Sequence, residues 1–109
     1  MRDSAALDIQ DKAPAMAAQA AEAAEFIKTL GHEGRLMLLC LLSQGERTVS
    51  ELEAETGARQ AIVSQHLARL RQEGFVSTRR DGRQIFYSLA DPRVAKLIST
   101  LYEIFCDPA

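Results

Sequence analysis

The sequence has few of the features that mark a membrane span, a disulfide-stapled domain or an enzyme. Its longest uninterrupted apolar run, Leu36–Leu42, has seven residues, whereas a membrane helix needs about 20. Two cysteines among 109 residues are too few for a disulfide scaffold. No nucleophile–base pair, phosphate-binding loop or paired-acid motif is present, so we expect no enzyme. The aspartate-bearing N-terminus lacks a secretory apolar segment, which favours a cytoplasmic location.

The composition is that of a folded chain whose charge is segregated along its length. Hydrophobic residues make up 47% and charged residues 26%, typical of one compact domain. We expect residues 1–12 to form a flexible tail and residues 13–109 a single domain. The net charge of −2 hides a basic block over 59–83, which holds six arginines against two acids. Such a block favours nucleic-acid binding, although a solvated, salt-bridged helix face has the same composition.

Apolar periodicity and turn residues predict five helices and one hairpin. The sequence Thr48–Glu51 has the capping-box form that opens a short helix, and Gly57 then turns the chain. Apolar residues at helical spacing follow in the next helix; they are Val63, Leu67 and Leu70. The predicted helices cover about 13–30, 32–43, 48–56, 60–72 and 92–105, and the hairpin covers 75–89.

The hairpin prediction depends on one dipeptide between two β-prone runs. Asp81-Gly82 predicts a two-residue turn in which both residues take positive φ. The resulting register pairs Val76 with Tyr87. Guanidinium groups at a hairpin tip bind phosphate or enter the minor groove, and the three at this tip are Arg79, Arg80 and Arg83.

Two short helices joined by a glycine turn are the geometry that presents the second helix to a DNA major groove. On the face opposite the apolar stripe, Gln65 can pair with adenine and Arg69 can reach guanine or phosphate, while Ile62 suits a thymine methyl. A protein–protein adaptor using the same surface is the alternative of a different class. The candidate DNA-contacting residues are Arg59, Gln60, Ile62, Ser64, Gln65, His66, Arg69, Arg79, Arg80 and Arg83.

Three segments, Thr48–Leu52, Val63–Leu67 and Gly74–Leu89, resemble the ArsR/SmtB winged-helix repressors. The resemblance implies a mainly α fold with a β-hairpin, a winged helix-turn-helix. It further implies a homodimer through the first and last helices that binds a double-stranded DNA operator containing an inverted repeat. Arg59 departs from the expected pattern, because a short hydroxyl or amide residue caps a recognition helix better.

Many members of this family sense metals, and the residues here fit that role poorly. Val49–Glu55 contains no cysteine, and Arg93–Phe105 contains no histidine and one carboxylate, Glu103. The cysteines and histidines lie on segments that do not obviously converge, whereas a zinc site usually takes four protein ligands; they are His32, Cys40, His66 and Cys106. We expect no metal or cofactor, and a repressor switched by a metal or haem ligand is the alternative.

The two thiols resemble those of the BigR/SqrR-type branch, whose repressors respond to persulfides. Cys40 lies in the second predicted helix and Cys106 at the end of the last. The resemblance implies that a disulfide or polysulfide bridges them and lowers operator affinity, with reactive sulfur species as the inducer and sulfide-response genes as the targets. Taken singly, each thiol could equally be a small buried hydrophobe.

Overall fold

A computed structural model describes residues 4–106, and their side chains from residue 12 onward. Five helices and a three-stranded antiparallel sheet make up these residues. The predicted winged helix-turn-helix fold is therefore confirmed, with one strand more than expected. The elements are α1 (Ser4–Leu30), α2 (Glu33–Leu42), β1 (Arg47–Thr48), α3 (Val49–Thr56), α4 (Gln60–Gln72), β2 (Val76–Asp81), β3 (Gln84–Leu89) and α5 (Pro92–Phe105).

Helix α1 is longer than predicted. It begins at Ser4, so residues 4–12, which we expected to form a tail, are helical, and residues 1–3 lie outside the described residues. Alanine, the strongest helix former, flanks Pro14 on both sides and dominates the helix over residues 13–24. Contacts divide the chain into two compact units, residues 1–31 and 32–109, so the domain expected over 13–109 comprises the second unit and most of α1. None of the helices in residues 4–106 is long and apolar enough to cross a membrane.

The core of the second unit is built where the apolar periodicity predicted it. The capping box forms at the start of α3, with the Thr48 side chain accepting from the Glu51 N–H and the Glu51 carboxylate accepting from the Thr48 N–H. Gly57 ends α3 at a φ of 75°, a left-handed conformation that suits glycine. Helices α2, α3, α4 and α5 all contribute buried side chains, which are Leu38, Leu39, Leu42, Leu52, Val63, Leu67, Leu70, Val94 and Ile98.

The sheet has the order β1-β3-β2. Strand β1 was not predicted, because its two residues are too few to show an alternating pattern; Arg47 pairs with Tyr87 of β3. Such a strand forms only because β3 is already there to pair with it.

The predicted hairpin register is wrong by two residues. Val76 pairs with Leu89 rather than Tyr87, and the turn residues are Gly82 and Arg83. Gly82 has a φ of 65°, and no residue other than glycine in the described part of the chain has a positive φ. The turn therefore needs glycine only at its first central position, as one of the two favoured hairpin turns does. A shift of two residues leaves every side chain on its expected face.

Candidate functional site

Helix α4 presents a polar face away from the core. Val63 and Leu67 are almost fully buried, and this turns the opposite side of the helix outward. Ile62, beside Val63, is 44% exposed. The other predicted DNA-contacting residues that are exposed on the first turns of this helix are Gln60, Ser64 and Gln65.

The start of α4 has the weak cap that the sequence indicated. Arg59 occupies the N-cap position with extended backbone, and its side chain makes no capping hydrogen bond. Its carbonyl accepts from the Val63 N–H at 3.0 Å, so the helix begins at Gln60 as predicted. The exposed Arg59 guanidinium is thus not used to hold the helix end.

His66 lies on a different side of α4 from Gln65. Its ring packs against that of His32, with 4.5 Å between the ring centroids and 54° between the ring planes. Burial, followed by the nearby charges of His32 and Arg35, lowers the pKa of His66. The structure therefore places His66 against the start of α2, apart from the exposed face that carries Gln65.

Arg69 takes part in an ion pair within its own helix. Its Nε lies 3.6 Å from the Glu73 carboxylate, one turn later, and both side chains are partly exposed. Exposed pairs of this kind contribute little to stability, so the guanidinium can exchange this partner for another anion at small cost.

The three arginines predicted at the hairpin tip are in different environments. Arg79 donates from Nε to the Glu46 carboxylate at 3.0 Å, and its guanidinium lies 4.5 Å from the centre of the Phe86 ring. The hydrogen bond lowers the pKa of Glu46 and raises that of Arg79. Arg80 and Arg83 are exposed. The partner Glu46 lies thirty-three residues before Arg79 and carries no sequence signal that could have identified it.

Both cysteines line one apolar cavity between α2 and α5. The cavity has a volume of about 210 Å³, and Leu36, Ile98, Leu101, Tyr102 and Phe105 form the rest of its wall. Cys40 is half-buried, whereas Cys106 is exposed at the C-cap of α5, where its N–H donates to the Tyr102 carbonyl at 2.8 Å. Burial raises the pKa of the Cys40 thiol, and the neighbouring Cys106 raises it further. The structure thus brings together the two thiols that the sequence singled out.

Metal-binding side chains do not assemble in the same way. Among the side chains that the structure describes, those of residues 12–106, no three histidine, cysteine, aspartate or glutamate groups lie together so that they could hold a metal ion. The two histidines are neighbours, and the two cysteines line a separate cavity.

Comparison of the sequence with known proteins identifies the family of this chain. Residues 32–78 match the family described as bacterial regulatory protein, arsR family. The biofilm growth-associated repressor of Agrobacterium fabrum is 54% identical over 95 residues, which cover 87% of this chain and 81% of that repressor. This chain belongs to the ArsR family.

Solved structures agree with that assignment. The crystal structure of the transcriptional repressor BigR from Xylella fastidiosa has a TM-score of 0.81 and 47% identity, covering 85% of this chain and 95% of that one. The solution structure of the homodimeric winged helix-turn-helix domain of Mb0332 from Mycobacterium bovis has a TM-score of 0.70 and 34% identity, covering 82% of each chain. The chain is a DNA-binding transcriptional repressor of the BigR-like part of the family, and not an enzyme.

Proposed function

We propose that this repressor releases its operator when Cys40 and Cys106 become bridged by a disulfide or a chain of sulfur atoms. The observation that carries the proposal is the apolar cavity that both thiols line. Its wall offers no charged side chain, which suits a neutral sulfur bridge and disfavours a charged occupant. Reactive sulfur species are the inducers, and the controlled genes are those of the sulfide response.

The bridge forms in two substitution steps that a persulfide oxidant drives. One cysteine thiolate attacks the outer sulfur of a persulfide RSSH and becomes a cysteine persulfide, while RS⁻ leaves and takes up a proton. The other thiolate then attacks the cysteine sulfur of that persulfide, and HS⁻ leaves. Two thiols and one RSSH thus give one disulfide, RSH and H₂S, and further persulfide adds sulfur atoms to the bridge.

The bridge would act on DNA through helix α2. Cys40 belongs to α2, which packs against α3 and α4 of the helix-turn-helix, while Cys106 ends α5. Joining the two sulfurs restrains α2 relative to α5. In a dimer that reads two half-sites about 34–36 Å apart, a small change in the separation of the two α4 helices lowers operator affinity.

Exposed apolar side chains support dimerisation through the first and last helices. Met16 and Ile27 of α1 are more than half exposed, as are Tyr102, Ile104 and Phe105 of α5. Large apolar side chains left uncovered in this number mark an interaction surface, and the similar domain of Mb0332 is homodimeric. A two-fold symmetric dimer matches an operator with an inverted repeat.

In this proposal the exposed face of α4 recognises bases, and the arginines bind phosphate groups. Gln65 and Ile62 would contact base edges in the major groove. The residues proposed to bind phosphate or the minor groove are Arg59, Arg69, Arg80 and Arg83, with Arg79 once it leaves Glu46.

The test compares the reduced protein with protein treated with an alkyl persulfide. A DNA duplex, the selected duplex, is first obtained by selection from a randomised pool with the reduced repressor. Treatment should produce one intrachain crosslink by mass spectrometry and weaken binding to the selected duplex. Cys40→Ser and Cys106→Ser should form no intrachain crosslink and keep their affinity.

Two outcomes would contradict the proposed switch. Both thiols of the treated protein could remain open to alkylation, or Cys40→Ser could lose its affinity on treatment as the unchanged protein does. Titration of the reduced repressor with zinc or haem tests the alternative, a repressor switched by a metal or haem ligand. That alternative would hold if zinc or haem weakened binding to the selected duplex and the persulfide did not.

A further inference from the structure

The His66 ring packs against the backbone of Gly34 at the start of α2, in space that a side chain at position 34 would occupy. A Cβ atom placed on Gly34 would lie 2.9 Å from His66 Nε2, a separation that real Cβ atoms do not show. The absence of a side chain at position 34 therefore leaves room for the His66 ring of α4 against the start of α2. The His66 ring also contacts His32, with 4.5 Å between the ring centroids.

His32 caps the start of α2 only while its Nδ1 carries no proton. It is the N-cap residue, and its Nδ1 accepts the Gly34 N–H at 3.0 Å. A protonated imidazole has no acceptor nitrogen. Protonation of His32 at Nδ1 would break the cap and place a positive charge at the positive end of the helix dipole.

The surroundings of the pair oppose a positive charge on His66. Burial, His32 and Arg35 lower the pKa of His66, in that order of effect. Glu33 is the one carboxylate that lines the adjoining cavity of about 310 Å³, which α2, α3 and α4 enclose. The side chains that α3 and the following turn contribute to this cavity are uncharged, namely Thr56 and Ala58.

We propose that His66 is a positioning residue for the recognition helix, and that protonation of the His32–His66 pair weakens operator binding. Two adjacent imidazolium rings repel each other, and the loss of the His32 cap loosens the surface on which α4 rests. Ile62 lines the same cavity one turn before His66 and is 44% exposed, so a displacement here reaches the face of α4 that meets DNA. The proposal depends on the DNA-binding function and not on the thiol switch.

The test measures affinity for the selected duplex as a function of pH in the Cys40→Ser variant, in which no intrachain bridge can form. Affinity should fall about tenfold between about pH 8 and about pH 5, because histidine ordinarily takes up a proton near about pH 6.5 and the pKa of His66 lies below that value. Acidification makes any protein more positive, and this general effect strengthens DNA binding. A fall in affinity on acidification therefore cannot come from the general gain of positive charge.

Two substitutions isolate the pair. His32→Asn keeps a side-chain oxygen that caps α2 without titrating, and His66→Gln keeps a polar side chain that does not titrate. In His32→Asn the fall in affinity should shrink to about twofold or less, because neither the loss of the cap nor the repulsion between rings remains. In His66→Gln only the loss of the cap remains, so the fall should be smaller than in the parent variant. A fall of the full size in both variants would overturn the proposal.

Two further measurements distinguish protonation of the histidine pair from unfolding of the protein. NMR titration of the ring protons of His66 should give a pKa below its ordinary value, and His32→Asn should raise that pKa by removing a positive neighbour. An unmoved His66 pKa would contradict the pairing. Loss of the helical circular dichroism signal at the acidic end would also overturn the proposal, because unfolding would then account for the lost binding.

Discussion

Arg79 of strand β2 donates a 3.0 Å hydrogen bond from Nε to the carboxylate of Glu46, in the loop before β1. An arginine expected to bind DNA phosphate therefore already has an anion of its own in the free protein. Because the two side chains are partly exposed, a phosphate group can compete for the guanidinium. The availability of Arg79 for the proposed phosphate contact thus depends on one glutamate.

Replacing Glu46 by glutamine should free Arg79 for DNA. We expect tighter binding to any duplex, with the slope of log affinity against log salt concentration steeper by up to about one unit, because one more phosphate is neutralised. Fluorescence anisotropy over a salt series measures both quantities. Adding Arg79→Gln to Glu46→Gln should cancel the gain, and a gain that survives in the double variant would assign the effect to overall charge.

Gln65 and Arg80 should affect binding in different ways. Gln65→Ala should cost about 1–3 kcal/mol on the selected duplex, the usual worth of a base contact, and little on a scrambled duplex. Arg80→Ala should weaken binding to both duplexes alike and lower the salt slope by about one unit. Competition binding with the two duplexes separates these patterns, and an equal loss for Gln65→Ala on both would remove it from base recognition.

Gly57→Ala should destabilise the fold through its backbone alone. The residue has a φ of 75°, and a Cβ atom there would meet nothing within 4 Å. A left-handed conformation costs an alanine about 1 kcal/mol, so the free energy of unfolding in urea should fall by about that amount. Gly57→Asn is the matched control and should lose less, because asparagine tolerates this conformation. Equal losses for the two variants would contradict the backbone explanation.

Ile104→Asp should dissociate the proposed dimer. The side chain is 64% exposed in the single chain and does not line the cysteine cavity. Burial of an isoleucine side chain is worth about 1.5–3 kcal/mol, so the dimer dissociation constant should rise by about tenfold or more. Analytical ultracentrifugation measures this directly. Lys96→Asp, at an exposed position on the side of α5 away from Tyr102 and Phe105, should leave the dimer intact, and a dimer that persists in Ile104→Asp would place the interface elsewhere.

Some parts of the candidate site followed from sequence and others did not. The buried stripe of α4 and the exposed position of Gln65 were predictable, because the helical period determines which residues share a face. The orientation of His66 was not predictable, because it depends on the presence of Gly34 and His32 on another helix. Periodicity distinguishes inward from outward positions, and it contains no information about which neighbour an intermediate position meets.

The hairpin illustrates the same division at shorter range. The turn was located correctly to within one residue, because Gly82 was the obvious candidate for a positive φ. The register was wrong because the choice between two favoured turns depends on pairing along the whole hairpin, in which Val76 meets Leu89. Strand β1 was missed for a related reason, since it exists only as a partner of β3.

By itself the sequence determined the helices of the second unit, the glycine turn before the recognition helix and the apolar stripe that orients it. These features depend on interactions among residues a few positions apart, which local spacing records. Only the tertiary structure brought Cys40 and Cys106 to one cavity, Arg79 to Glu46 and His66 to His32. Such meetings depend on how separate helices and strands pack, because their members lie tens of residues apart and share no local pattern.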